Sequence, residues 1–342
     1  MNHARELLKM LLGKELKSAT RICAGKNSRV YKVCSLCGEV YVAKFYLQPT
    51  AEGRSRLEQE WTALKFMSGA GFTDVPSPIG VSEELQGALF SFIEGRTVSE
   101  HGIKDIGAVL DFLRRLWSVR GLHGAKTVSP AAEACFSLGE LVSNIEQRTA
   151  VLMALPCDNL LFEQMHNFLG TDFLMEFEKS VDAARRLLSQ PDSEESLAPE
   201  YRTLSPSDFG FHNCLRRSGG KLAFLDFEYF GWDDPVKAAS DFLLHPAMEL
   251  SVSEIKVFYS GMKDIFGKER GFENRFRAYL PLFRLKWCLI LLNEFLKDGI
   301  DRRCFASEVV DSADDMRKAQ LDKARTFLGR DRQILSLVTD TL

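Results

Sequence analysis

The sequence predicts an α+β chain of two lobes, a small antiparallel-sheet lobe over residues 1–94 and a large helical lobe over residues 95–342. Three observations predict it. Before Gly95 the apolar residues alternate in short runs punctuated by glycine and proline. After it they recur at helical spacing, and one short β-rich insert, Thr203–Phe230, interrupts them. Composition sets the outer bounds. A chain of 342 residues is long enough to form two modest domains with a cleft. Its 45% hydrophobic and 27% charged residues are those of an ordinary globular protein. Lys and Arg number 44 against 47 Asp and Glu, a net charge of −3 that gives no support to nucleic-acid binding.

The N-terminal segment MNHARELLKMLLGKELKSAT carries charges throughout and reads as an amphipathic helix, without the unbroken apolar centre of a secretory signal. Two strand runs follow, RVYKV within Ser18–Cys34 and EVYVAKFY over Glu39–Tyr46, joined by a turn at Cys37-Gly38. Alternation puts Val40, Val42, Lys44 and Tyr46 on one face. A helix over Arg54–Met67 aligns Leu57, Trp61, Leu64 and Met67. Two short strands, Ile79–Ser82 and Ala88–Phe92, close the lobe, so that one helix is expected to pack on the small sheet. Helical patterns then cover Asp105–Trp117, Ala132–Leu155 and Asn159–Leu188, with a polar loop at Pro191–Ser196. Ser251 and Glu254 form a capping-box pattern ahead of Ile255, Phe258 and Met262. The most apolar stretch, Trp287–Leu292 with Leu296, is far shorter than the roughly 20 residues of a membrane span. The eight cysteines follow no disulfide spacing, which fits a reducing, cytoplasmic compartment. Cys34 and Cys37 have half the spacing of a zinc knuckle, but no second pair answers them.

The chemistry concentrates in LSPSDFGFHNCLRRSGGKLAFLDFEYFGWDDPVKAASD, Leu204–Asp241. Asp208 precedes Asn213 in a turn-rich loop, and the apolar run Leu222–Leu225 ends in Asp226. A carboxylate at the end of a buried strand requires a cation or several donors nearby. Phosphoryl transfer uses such a set: one carboxylate orients the attacking hydroxyl, while another carboxylate and an amide oxygen hold metal ions. Lys44, flanked by Val42, Ala43 and Phe45, supplies a phosphate-binding ammonium if a carboxylate holds it. Glu60 falls on the packed face of its helix and is the best partner. Ala24–Val30 reads as a loop between two strands able to cover phosphates, although it holds a single glycine.

These residues resemble the aminoglycoside phosphotransferase and choline kinase superfamily, of protein-kinase-like fold. The resemblance covers Ile22–Asp241 and rests on GKNSRVYKV, VAKFY, RLEQEWTALKFM, ALFSFIEGRTV, DFGFHN and LAFLDFEYFGWDDPVKAASD. It implies Asp208 as the catalytic base, Asn213 and Asp226 as magnesium ligands, and Lys44 on the α/β-phosphates with Glu60 as its partner. It also implies that Ser91 and Ile93, with Phe92 between them, present hinge backbone groups to adenine, and that Asn27 and Ser28 cover the phosphates. ATP and Mg²⁺ are the expected cofactors. The expected partner is a small molecule with a hydroxyl to be phosphorylated, a sugar or other polyhydroxylated alcohol, and neither nucleic acid nor membrane.

Two departures keep an alternative open. The family's histidine two residues before the catalytic aspartate is Pro206 here, and the phosphate loop is sparse. Both would suit a pseudokinase acting as a nucleotide-binding partner. A protein kinase fits less well, because Gly231–Pro235 follows Asp226 too soon for a long activation loop. The remaining polar candidates have plainer readings. His212 reads as a packed, hydrogen-bonded histidine with no second ligand beside it, and Asp311, Asp314 and Asp315 read as a solvated helix face. Trp232 and Phe230 are either pocket walls or core. The acceptor pocket is expected among the Asp208 loop, the Gly231–Asp234 turn and the Trp287–Glu294 helix.

Overall fold

The computed structural model describes residues 2–23, 28–48, 54–188, 195–268, 271–306 and 312–339. The N-terminal half of the alternation argument becomes a five-stranded antiparallel sheet. Its strands are β1 (Leu16–Cys23), β2 (Ser28–Ser35), β3 (Val40–Tyr46), β4 (Pro78–Ser82) and β5 (Gly87–Ser91), in the order β1-β2-β3-β5-β4. The turn between β2 and β3 is closed by Gly38, at φ +87°, whose N–H donates to Ser35 O.

Period-2 patterning gives this sheet two faces. Ala43 and Phe45 of β3 join Val33 and Leu89 beneath the first helix, α1 (Asn2–Leu12), which contributes Ala4, Leu7 and Leu8. Tyr46, Ala88 and Phe90 face the other way, toward Leu57, Leu64 and Met67 of α2 (Arg56–Gly69). The sheet therefore carries two helices, one more than the pattern of the lobe alone predicted. The amphipathic N-terminal segment is the second, because its apolar stripe covers a sheet face that would otherwise lie open. Ser55 caps α2 through the N–H of Glu58.

Beyond the expected boundary at residue 94, a two-residue strand β6 (Arg96–Thr97) leaves the sheet. It pairs with β8 (Cys214–Arg216), which pairs in turn with β9 (Leu222–Phe224). A second small ladder joins β7 (Thr203–Ser205) to β10 (Gly231–Asp233). Helices form the rest: α3 (Ile103–Val119), α4 (Leu138–Met153), α5 (Leu160–Phe168), α6 (Leu174–Leu187), α7 (Pro235–Leu244), α8 (Val252–Phe266), α9 (Phe272–Leu291), α10 (Lys297–Ala306), α11 (Ala313–Phe327) and α12 (Arg330–Thr339). The helix expected from Ala132 begins only at Leu138, after the Ser137 cap; residues 129–132 instead hydrogen-bond to Tyr229 and Trp232. A one-turn π-helix, Leu169–Phe173, joins α5 to α6 where a single long helix was expected. The capping box at Ser251 and Glu254 forms as predicted. Among the described residues no helix is long and apolar enough to cross a membrane.

A dense aromatic cluster, Phe112, Phe209, Phe224, Phe227 and Phe242, joins α3, α7 and the β-rich insert. It forms the floor on which the Asp208 and Asp226 segments rest. Gly231 is where this insert passes closest to another backbone. Trp232 N donates to Ser129 O at 3.0 Å, and Ala131 N donates to Trp232 O at 2.8 Å. A Cβ on Gly231 would lie 2.4 Å from both Ala131 N and Ser129 O, backbone atoms that cannot turn away. Gly231→Ala is accordingly expected to destabilise the protein by about 2–3 kcal/mol, read as a lowered denaturation midpoint; an unchanged midpoint would contradict this packing.

Candidate active site

Two loops of the insert face the sheet. The first follows β7: Ser207 adopts φ +67°, and its hydroxyl accepts from the buried Lys237 ammonium at 3.1 Å. Asp208 comes next, with its side chain 30% exposed. A short 3₁₀ turn, Phe211–Asn213, brings the chain back into β8. Asn213 Nδ2 donates to Asp208 O at 3.0 Å, which closes the loop on itself. The second loop follows β9. Cys214 pairs with Phe224, and Leu225 N donates to Asn213 O at 2.9 Å, so Asn213 and Asp226 flank one hairpin. Asp226 sits at φ +65°, a left-handed conformation that costs a non-glycine residue about 1–2 kcal/mol. Such strain persists only where surrounding contacts hold it.

Those contacts come from the other lobe. Lys44 Nζ lies 2.6 Å from Asp226 Oδ1 and 2.6 Å from Glu60 Oε2, with its side chain only 6% exposed. Glu60 also accepts from Tyr46 Oη at 2.7 Å and from Phe227 N at 3.3 Å. Lys44 thus joins a strand, the α2 helix and the Asp226 loop. Burial alone would lower the Lys44 ammonium, but the charges of Asp226 and Glu60 outweigh it and hold it well above its ordinary value.

Glu228, two residues after Asp226, is a functional candidate that sequence reasoning passed over. It is 1% exposed, 3.5 Å from Lys44 Nζ and 3.7 Å from an Arg56 guanidinium nitrogen. Neither of its carboxylate oxygens has a hydrogen-bond partner. Burial, reinforced by the charge of Asp226, pushes its carboxyl up to about 7. Glu60, Asp226 and Glu228 bring their carboxylate oxygens within 4.8 Å of one another. A buried carboxylate without a hydrogen bond in such a group fits a divalent cation, and Asp226 and Glu228 are the carboxylates of the group that Lys44 and Tyr46 do not both engage. The signal in the sequence was a second acid inside the otherwise aromatic run Phe227–Phe230.

Asp208 has a different setting. His212 Nε2 and His245 Nε2 lie 3.2 and 3.1 Å from the same Oδ1, and the two imidazoles stack at 4.0 Å with an 8° tilt. Burial would raise the Asp208 carboxyl, but hydrogen bonds from the two histidines hold it well below the usual carboxylate range. The expectation that His212 has no second histidine beside it is corrected here, because α7 delivers His245 from a distant part of the chain. Lys237 was also missed. It is held between Asp233 (2.8 Å), at the end of β10, and Asp241 (2.7 Å), one turn further along α7, and the four-residue spacing on each side was visible in the sequence. Asp241, whose role the sequence left open, also accepts from Trp287 Nε1 at 3.1 Å.

The remaining expectations divide. Ser28 opens β2 and is buried, whereas Asn27 lies outside the described residues. Phe92 and Ile93 follow β5, with the Lys32 ammonium 4.4 Å over the Phe92 ring. Ser91 N donates to Ser77 O at 2.9 Å, so of its backbone groups the N–H is already engaged. Gly231–Asp233 is a strand with Asp233 fully buried, and Phe230 is core, so this segment backs the site instead of lining it. Trp232 Nε1 donates to Ala125 O at 3.0 Å, which fixes it structurally. Asp314 pairs with Arg317 on an exposed helix face, while Asp311 lies outside the described residues. Cys34 and Cys37 are free thiols.

No protein-family model matches the chain, and no curated protein matches it in sequence. Solved structures do match. A spectinomycin phosphotransferase in complex with ADP and spectinomycin aligns at TM-score 0.60 and 14% identity, covering 93% of this chain and 98% of that one. A choline kinase from Cryptosporidium parvum aligns at TM-score 0.57 and 11% identity, over 93% and 90% of the two chains. An ethanolamine kinase from Plasmodium vivax aligns at TM-score 0.57 and 14% identity, over 92% and 83%. The chain has the two-lobed, protein-kinase-like fold that these small-molecule phosphotransferases share.

The raised carboxyl of Glu228 has a consequence for stability. In the unfolded chain Glu228 ionises near pH 4.5, and in the fold near 7. Between those values the folded state binds more protons, so stability falls as pH rises through the window. In buffer free of divalent cations, Glu228→Gln is expected to stabilise the protein at pH 8 by about 2 kcal/mol and to have little effect at pH 4.5. Thermal melts at both pH values check this; equal destabilisation at both would show instead that Glu228 is ionised and holds Lys44.

Proposed function

We propose that the protein is an ATP-dependent kinase that transfers the γ-phosphate to a hydroxyl of a small molecule. The observation that carries the reading is the Lys44 bridge, one ammonium held between Glu60 and Asp226 beside a loop that carries Asp208 and Asn213. In this reading ATP lies between the lobes, with adenine near Phe92 and Ile93 and the phosphates near Ser28 and Lys44. Lys44 has no unmet charge of its own, so it meets phosphate by sharing the position it now gives to Asp226. A magnesium ion held by Asp226 and Asn213, with Glu228 in reserve, would neutralise charge on the phosphates.

Asp208 then serves the acceptor. Kept ionised by its two histidines, it accepts a hydrogen bond from the hydroxyl and fixes the oxygen in line with phosphorus. A strongly acidic carboxyl is a weak base, so its main contribution is orientation, with the proton passing late in the transfer. The acidic groups nearby are already matched: Asp208 by His212 and His245, Asp241 by Lys237 and Trp287. With these carboxylates already holding hydrogen-bond donors, the setting supports a neutral polyhydroxylated acceptor, a sugar or similar alcohol, over a quaternary ammonium.

Pro206 in place of the family histidine keeps a second reading in play, a pseudokinase that binds nucleotide without turnover. MgATP turnover against a panel of sugars, amino alcohols and aminoglycosides separates the two. Acceptor-stimulated turnover is expected, and Asp208→Asn should lower it by about 10²–10⁴-fold while leaving ATP bound. Turnover unaffected by that substitution would remove Asp208 from the chemistry, and ATP binding without turnover on any acceptor would favour the pseudokinase.

A further inference from the structure

The Asp208 carboxylate is restrained from outside its own loop. His245 lies at the C-terminal end of α7, immediately before Pro246, and its ring is enclosed on three sides. His212 stacks on one face, the edge of Trp287 meets it at 5.0 Å, and Asp208 Oδ1 stands 3.1 Å from Nε2. The other ring nitrogen settles the tautomer. Ala247 N donates to His245 Nδ1 at 3.1 Å, so Nδ1 is an acceptor and the proton of the neutral ring sits on Nε2, the nitrogen 3.1 Å from the Asp208 carboxylate. Asp208, His212 and His245 also have the mutual separation of a metal-binding set. A metal on His245 would have to displace the Nε2 proton that this backbone contact enforces, which favours the hydrogen-bonded arrangement.

We infer that His245 is a positioning residue for the phosphotransferase reaction: through its Nε2–H it fixes the rotamer of Asp208, so that the other carboxylate oxygen faces the acceptor hydroxyl. This rests on the kinase reading above. The restraint is needed here because Ser207 is in a left-handed conformation and the Asp208 N–H turns back to Pro206 O at 3.0 Å, a tight bend supported by a proline where the fold's relatives were expected to carry a histidine. α7 is itself fixed. Asp234 caps it through Val236 N, and Arg275 of α9 pairs with Asp234. Lys237 ties its first turn to Ser207 Oγ, so one helix grips the catalytic loop at both ends.

Two measurements on the full chain test this. The first is imidazole ¹⁵N NMR without nucleotide. His245 is expected as the Nε2–H tautomer with Nδ1 hydrogen-bonded, and Asp208→Asn should shift the Nε2–H signal. The second is steady-state turnover of MgATP, with water as acceptor and with the panel of alcohols. His245→Ala is expected to lower kcat about tenfold to a hundredfold with the KM for ATP unchanged. His245→Gln, whose amide nitrogen can reach the same carboxylate oxygen, should recover most of that loss. Because the alanine variant could fail to fold, its melting transition is compared with wild type, and His245→Leu, which fills the space without a donor and should show the same loss of kcat, carries the test if it does not hold. Equal kcat in wild type and these variants overturns the inference, as does loss confined to KM. A transition metal bound to wild type whose removal raises turnover overturns it in favour of a metal site. If wild type turns over no ATP while the NMR signature is present, the kinase reading fails, and His245 is then a structural contact only.

Discussion

A buried ammonium cannot stand alone, and the arrangement of this molecule follows from how Lys44 is compensated. Moving an unpaired charge into a protein interior costs several kcal/mol even after relaxation, and removing one partner of a buried pair costs about 3–5 kcal/mol. Lys44 meets Glu60 from α2 and Asp226 from the far lobe at the same distance, 2.6 Å. The strand, the helix and the Asp226 loop therefore have to arrive together, and the geometry between the lobes is set by charge matching as much as by apolar contact. Glu228 adds a third buried carboxylate, which Lys44 at 3.5 Å and Arg56 at 3.7 Å meet only at long range, and burial together with the charge of Asp226 raises its carboxyl. An excess of negative charge around one lysine is what a site for phosphates and a cation requires, since the cation supplies the charge that the protein leaves out.

The Asp208 loop follows a parallel logic with hydrogen bonds in place of ion pairs. Ser207 and Asp226 both occupy left-handed backbone conformations, one in each loop of the insert. Each is held by a lysine: Ser207 through Lys237, Asp226 through Lys44. The aromatic floor under both loops supplies rigidity without polar groups that would compete for these contacts.

Much of this was legible in the sequence, and the reason is local. Alternation in Val40–Tyr46 placed Lys44 on one face with Val42 and Tyr46, and helical spacing placed Glu60 on the packed face of its helix, so Glu60 stood out as the best partner from the sequence. Asp208, Asn213 and Asp226 stood out because acids and amides beside apolar strands need a reason to be there. What escaped was set by tertiary structure. Nothing in the sequence near His245 relates it to Asp208, because the contact depends on where α7 ends after packing on the insert. The helix expected from Ala132 was displaced because Ser129–Ala132 pairs with the backbone around Trp232, and the N-terminal helix found its partner only once the sheet existed to be covered. Glu228 and Lys237 carried local signals, a lone acid among aromatics and a lysine with an aspartate four residues away on either side.

The most direct measurement is calorimetric titration of MgATP into wild type and into the double variant Lys44→Met/Glu60→Gln, which removes the bridge without leaving a buried Glu60 charge unmatched. Wild type should bind MgATP, and the double variant should keep a cooperative melt but lose affinity by about tenfold or more, as expected for loss of a charge-assisted phosphate contact. Equal affinity in a folded double variant would contradict a phosphate-binding role for Lys44.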